Sequence, residues 1–143
     1  MIVTANLEDV ELHEGWWDSD PERLRARFSF PMCWATGNAS TTVLYVELEP
    51  GCGNGRHTDT PEELLLVLEG EVEVELGDEK GVLGPGEIAL IPSMVPHRFE
   101  NVGSTIARVV GLFSSNVVMA EFEEPVQPFG LNTVGTPTPE MVR

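Results

Sequence analysis

The chain has 143 residues, enough for one domain burying roughly 68–70% of the surface its unfolded form exposes, and short for two. Eight Lys plus Arg against 24 Asp plus Glu give a net charge of −16, which repels nucleic-acid backbones and anionic lipid surfaces. No segment approaches the run of about 20 apolar residues that a membrane span needs, and the N-terminal MIVTANLEDVELHEG has neither a basic start nor an apolar core. The expectation is a soluble, cytoplasmic protein with no nucleic-acid and no membrane partner.

In chain order, the best helical signal is a short turn at Asp20-Pro21-Glu22, where Asp can cap and Pro can take the first helical position. RLRARFSF then alternates Leu24, Ala26, Phe28 and Phe30 with Arg23, Arg25, Arg27 and Ser29, a strand with one apolar and one basic face. After the turn ATGNAS, TTVLYVELEP sets Val43, Tyr45 and Glu47 opposite Leu44, Val46 and Leu48. ELLLVLEGEVEVEL reads as two strands joined at Glu69-Gly70, the second presenting Val72, Val74 and Leu76 inward and an acidic, wet face outward.

GDEKG and GPG read as turns, EIALIP and HRFENVG as short strands, and TIARVVGLFSSNVVMAEF as one or two more. Short strands at regular spacing, without long amphipathic helices, predict an all-β sandwich or barrel. The whole chain, 1–143, reads as a single domain: an N-terminal strand extension over about 1–35, a barrel core over about 40–122, and an irregular Pro-, Gly- and Thr-rich tail over about 123–143.

Chemistry concentrates in GCGNGRHTDTPEE, residues 51–63. On a strand, residues i and i+2 share a face, so His57 and Asp59 can aim together into a barrel interior, and a bend at TPE can return Glu63 toward the same point. Closing a metal shell needs a ligand from elsewhere. Of the other two histidines, His13 lies in a segment without partners, whereas His97 heads HRFEN at the separation expected if the chain doubles back across a barrel. Cys33 and Cys52 lack CxxC spacing and read as reduced thiols, with Cys52 near enough to the site to line it or to be oxidation-sensitive.

These residues resemble the two motifs of the cupin superfamily. Gly51, His57, Asp59, Glu63 and Gly70 fall at every spacing of G-x5-H-x-H-x3,4-E-x6-G, and Gly86, Pro92, His97 and Asn101 fall at every spacing of G-x5-P-x-G-x2-H-x3-N. The resemblance implies a small single-domain (monocupin) double-stranded β-helix, or jelly roll, with one divalent metal ion held by His57, Asp59, Glu63 and His97. It also implies a homodimer, through an N-terminal strand that joins a neighbour's sheet. The basic face of RLRARFSF would then meet an acidic partner surface or, within one chain, pair with EVEVE.

Two positions depart from the pattern: the second motif histidine is Asp59, and the inner glycine of the second motif is Met94, a change expected to alter a turn or narrow the pocket. Two histidines with two carboxylates suit Fe(II), Mn(II), Ni(II) or Zn(II), and give no reason for copper. Tyr45, Arg56, Arg98 and Arg108 are the polar candidates for substrate contact, with Tyr45, Arg108, Phe99 and Met94 as the expected pocket set. Strand alternation points Arg56 away from the metal, and the abundant carboxylates favour an exterior ion pair for Arg108. Leu65, Val67, Leu90, Phe99 and Val109 would fill the core or line the cavity.

The expected function is metal-dependent chemistry on a small organic substrate, first a dioxygenase-type oxidoreductase, then an isomerase or cyclase on the same site, then a non-catalytic ligand-binding barrel. A further pattern, His57-x-Asp59 with distal His97, is similar to the facial triad of Fe(II) oxygenases that use 2-oxoglutarate, with Arg108 as the co-substrate arginine. That pattern leaves Glu63 and Gly70 unexplained.

Overall fold

The computed structural model describes residues 1–137 and 141. Twelve strands form two antiparallel six-stranded sheets packed face to face as a jelly roll: β1 (His13–Trp16), β2 (Arg25–Met32), β3 (Thr42–Leu48), β10 (Ala107–Phe113), β5 (Glu63–Glu69) and β8 (Ile88–Ile91) in that spatial order, and β12 (Leu131–Val134), β11 (Ala120–Val126), β4 (His57–Asp59), β9 (His97–Asn101), β6 (Val72–Leu76) and β7 (Glu79–Leu83) in the second. Trp34–Thr36 makes a single 3-10 turn. Asp20-Pro21-Glu22 closes a turn through the Leu24 amide donating to the Asp20 carbonyl at 2.7 Å, without continuing into a helix.

The core sits between the sheets because each strand's apolar alternation faces inward: Ala26, Val46, Leu48, Leu65, Val67 and Val109 from the first sheet meet Val72, Val74 and Phe99 from the second. Leu65, Val67, Phe99 and Val109 are thus buried as expected, whereas Leu90 lies on the outer face and is 53% exposed. β5 and β6 are consecutive but belong to different sheets, and the chain crosses between them at Gly70. There φ is +87° and a Cβ would press on the Ala107 Cα at 3.0 Å, so only glycine passes without strain.

Three elements differ from expectation. β1 pairs with β2, His13 opposite Phe28, in a segment too polar to read as strand. β7 occupies most of the expected GDEKG turn. It pairs only with β6 at the sheet edge and is exposed, which is why charge and glycine are tolerated there. The stretch expected as irregular tail contains most of β11 and all of β12; residues 138–140 and 142–143 of that tail lie outside the described residues. Pro125 hid β11, but β11 pairs with β4 only at Ala120, Glu121 and Phe122, so the proline falls where β4 offers no ladder partner.

Within the chain, the basic face of β2 pairs with other carboxylates than the expected EVEVE segment. Arg25 pairs with Glu14 on β1, and Arg27 reaches Glu49 at 3.1 Å and Glu47 at 3.6 Å. The EVEVE segment instead holds Lys80, Arg98 and Arg56 around Glu75.

Candidate metal centre

His57, Asp59 and His97 converge because β4 lies between β11 and β9, with His57 directly opposite His97. Asp59 follows His57 by two residues and shares its inward face. One ligand atom from each of the three lies within 4.8 Å of the others, and all three side chains are buried. Nε2 of His97 is 3.0 Å and Nε2 of His57 is 3.4 Å from Oδ2 of Asp59. Glu63, 2% exposed, brings Oε1 to 3.5 Å from His97 Nε2.

Backbone carbonyls orient both rings. Nδ1 of His57 donates to the Gly55 carbonyl and Nδ1 of His97 to the Val95 carbonyl, each at 2.8 Å. That leaves both Nε2 atoms facing Asp59, the arrangement in which a ring ligates a metal through one nitrogen while the other is held by a fixed acceptor. Oδ2 of Asp59 and Nε2 of His97 are buried without a well-aligned hydrogen-bond partner among the described residues, so the 3.0 Å approach is an ion pair rather than a hydrogen bond. Orphaned polar atoms at a point where two nitrogens and a carboxylate meet are what a cation would satisfy. The donor set suits a divalent ion.

The electrostatics follow from burial and proximity. Burial by itself would raise the Asp59 carboxyl, but the two imidazoles beside it outweigh that and hold it at about 2. Burial likewise opposes charge on His97, and the Asp59 and Glu63 carboxylates reverse this and push it up to about 10. Glu63 is raised, because its desolvation outweighs the neighbouring imidazoles.

The site opens onto a cavity of about 120 Å³ between the two sheets. Its walls are aromatic and aliphatic, with Phe28, Phe30, Phe99, Phe113 and Phe122 among them. Among the described residues no Lys or Arg lines it. His57 stacks on Phe122 with centroids 4.4 Å apart and planes at 24°, and Trp17 packs against the same Phe122 ring at 5.3 Å.

Of the expected pocket set, Phe99 lines this cavity, and Tyr45, Arg108 and Met94 are not among its lining residues. Arg108 is on the outer face, where Nε donates to the Tyr45 hydroxyl at 2.6 Å and Nη1 to Glu69 at 2.8 Å. The exterior ion pair foreseen for Arg108 is what forms, and no arginine among the described residues lines the cavity to meet a 2-oxoglutarate carboxylate. Tyr45 is fully buried and donates to Glu47 at 2.7 Å; burial pushes its phenol above the ordinary value.

Arg56 and Arg98 point outward to Glu75, Glu123 and Glu100. Met94 keeps the left-handed backbone of the motif glycine, with φ of 64°, and its side chain is 54% exposed, so the turn is preserved and the pocket is not narrowed. His13 bonds through Nε2 with the Met141 carbonyl, away from the cluster. Cys52 donates to the Glu22 carbonyl at 3.3 Å, and burial pushes its thiol up, so it is inert rather than oxidation-prone.

Three contributors carry no motif signal. Gly111 on β10 leaves the space that the Glu63 carboxylate occupies; a Cβ there would collide with Oε2. Phe122 and Trp17 buttress His57 from segments that looked peripheral. Only the pairing of β11 with β4 reveals them.

Comparison with known proteins agrees with this architecture. No curated protein matches significantly in sequence. The family described as "Cupin domain" matches residues 44–113. Among solved structures, a predicted oxalate decarboxylase from Thermotoga maritima is similar at 17% identity and TM-score 0.65, over 80% of this chain and 99% of that one. The polyketide cyclase RemF from Streptomyces resistomycificus is similar at 20% identity and TM-score 0.64, over 79% of each chain. The TT1209 protein from Thermus thermophilus is similar at 21% identity and TM-score 0.63, over 80% of this chain and 98% of that one. Matched motifs, the family match over the barrel and the shared jelly roll together place the chain in the cupin superfamily, with His57, Asp59 and His97 as a cluster that could hold a metal ion.

Proposed function

We propose that this cupin is a metal-dependent enzyme acting on a small, predominantly apolar organic molecule, by dioxygenase-type chemistry, with Glu63 as the fourth ligand beside His57, Asp59 and His97. The observation that carries the reading is the convergence of two preset Nε2 atoms and the Asp59 carboxylate, buried, on a cavity otherwise walled by aromatic and aliphatic side chains. Four protein ligands leave positions open on an ion that prefers six, so a bound Fe(II), Mn(II), Ni(II) or Zn(II) would supply a Lewis acid and, where redox-active, a centre for oxygen.

This chain's own residues then do the rest. The Gly55 and Val95 carbonyls hold the histidine tautomers, Phe122 fixes the His57 plane, and the phenylalanine walls keep bulk water from the reacting bond. Two carboxylates at the site, and no basic residue lining the cavity among those described, select against small dianions and for a neutral substrate.

A metal-dependent isomerase or cyclase is the second reading, favoured by a cavity that could fold an apolar chain around a polarised oxygen; RemF, of the same fold, is a polyketide cyclase. The test is elemental analysis of purified protein followed by oxygen uptake with neutral aromatic substrates. Near-stoichiometric metal lost in Asp59→Ala and His97→Ala, with substrate-dependent oxygen consumption, supports the first reading. Metal without oxygen consumption moves the assignment to isomerase or cyclase. Absence of metal after anaerobic reconstitution leaves a ligand-binding barrel.

The proposal extends to the assembly. Leu64, Ile88, Leu90 and Leu112 are exposed side by side on the outer face of the first sheet, joined by the pairs Leu112 with Leu64 and Leu64 with Leu90. The rest of that face is occupied by paired charges, Arg25 with Glu14, Arg27 with Glu47 and Glu49, and Arg108 with Glu69, leaving it near neutral on a chain of net charge −16. Two acidic copies can approach there with least repulsion, so this face, rather than an exchanged N-terminal strand, is the proposed homodimer surface. A cytoplasmic location belongs to the same proposal; no helix among the described residues is long and apolar enough to cross a membrane.

A further inference from the structure

We infer that the side-chain amide of Asn54 is the specificity-determining donor of the cavity, and that it selects an apolar, aromatic-sized substrate carrying a neutral hydrogen-bond acceptor such as a ketone oxygen. This deepens the proposed function and rests on it for the identity of the cavity as a substrate site. The argument is a full account of the polar groups of Asn54. Its backbone N–H donates to the Phe99 carbonyl at 3.2 Å. Its carbonyl accepts from Arg98 Nε at 3.0 Å. Its Oδ1 accepts from the Phe99 backbone N–H at 2.9 Å.

Because that N–H can only donate, the amide orientation is fixed: the oxygen must face Phe99, and Nδ2 must face away. Nδ2 has no partner among the described residues, although Asn54 is only 9% exposed and lines the cavity that holds His57, Asp59 and Glu63. An amide held by its oxygen, with the two N–H groups of Nδ2 unpaired by protein in an otherwise apolar wall, is a fixed donor that a ligand or water in the cavity would use. Other polar groups of the cavity could compete for the role. The Trp17 indole N–H is buried without a partner among the described residues, but it packs on Gly55, where a Cβ would touch Nε1. Thr136 lines the cavity with a freely rotating hydroxyl, able to accept as readily as donate, so it discriminates poorly. Ligand carboxylates at the metal site only accept.

The geometry predicts a preference that a matched pair of probes can read. Acetophenone and ethylbenzene have the same ring and nearly the same shape, and differ in a carbonyl against a methylene. Affinities of both are measured by ligand-observed NMR on the purified protein, with its metal content determined alongside. Wild type should bind acetophenone about fivefold more tightly, the range a single net hydrogen bond provides. Asn54→Asp keeps the acceptor for the Phe99 N–H and so the fold, but replaces the idle donor with an acceptor. It should erase the preference while retaining the metal and the melting transition.

Thr136→Val should keep the preference. Equal affinities in wild type would overturn the inference, as would a preference that survives in Asn54→Asp or vanishes in Thr136→Val. Since Asn54 does not ligate, a wild type that fails to hold metal defeats the metalloenzyme reading separately, and the ketone preference still decides the role of Asn54.

Discussion

At the scale of single residues, Met94 shows a backbone requirement outliving the residue that suits it. The turn before β9 needs the left-handed region, and the Met94 amide donates to the Asp59 carbonyl at 2.9 Å there, tying the turn to the ligand strand. A β-carbon in that region costs roughly 1–2 kcal/mol. Met94→Gly removes this strain at a wider unfolded ensemble, so a net gain of about 0.5–1 kcal/mol is expected in urea unfolding. A loss would mean that the exposed Met94 side chain stabilises the turn by contacts of its own.

The candidate ligand residues set the pH behaviour of the metal-free protein. His97 is raised from 6.5 to about 10, so its contribution is complete below about pH 6.5 and is lost as pH climbs through 10. Asp59 is lowered from 3.8 to about 2, so its contribution is present above about pH 3.8 and is lost as pH falls through 2. The raised Glu63 works the other way, subtracting stability as pH rises above its unfolded value of 4.5. Thermal melts should therefore decline on the alkaline side from near neutrality. Metal must replace the His97 proton, so loading at pH 7 should release about one proton per site, read by calorimetry in buffers of different ionisation enthalpy. Loading without proton release would show that His97 is not displaced by the ion.

At the scale of elements, the site is an agreement between strands. β4 supplies His57 and Asp59, β9 supplies His97, β5 supplies Glu63, and β10 supplies the space, through Gly111, into which Glu63 fits. Gly111→Ala should destabilise by about 1–3 kcal/mol through overpacking and weaken metal retention, because the Glu63 carboxylate must move. Glu63→Gln leaves the volume unchanged and should weaken metal retention without the packing loss. The comparison of the two by metal content and melting separates ligation from packing: retention unchanged in both would remove Glu63 from the shell.

For the whole molecule, an acidic chain with one near-neutral apolar sheet face should associate through that face. Light scattering should give twice the 15.7 kDa chain mass for wild type, and Leu64→Glu with Leu90→Glu should give the single-chain mass with the metal site intact. A monomeric wild type at micromolar concentration, or a double variant that stays dimeric, would rule this surface out.

The motif residues were legible in the sequence because their spacing reports strand geometry directly. His57 and Asp59 must share a face at a period of two, glycines must stand where φ is positive, and inward alternation on β3, β5, β6 and β10 follows from the need to bury apolar area between two sheets. The fold class and the candidate ligands therefore come from local rules applied to the chain. What only the tertiary structure decided is everything that depends on which strand lies beside which: that β11 closes over β4 and sets Phe122 against His57, that Arg108 and Tyr45 bond on the outer face instead of the cavity, that β7 is a strand at all, and that the Asn54 amide is held by its oxygen with its nitrogen unpaired among the described residues. Strand alternation says which side chains share a face, but long-range pairing alone says what that face meets.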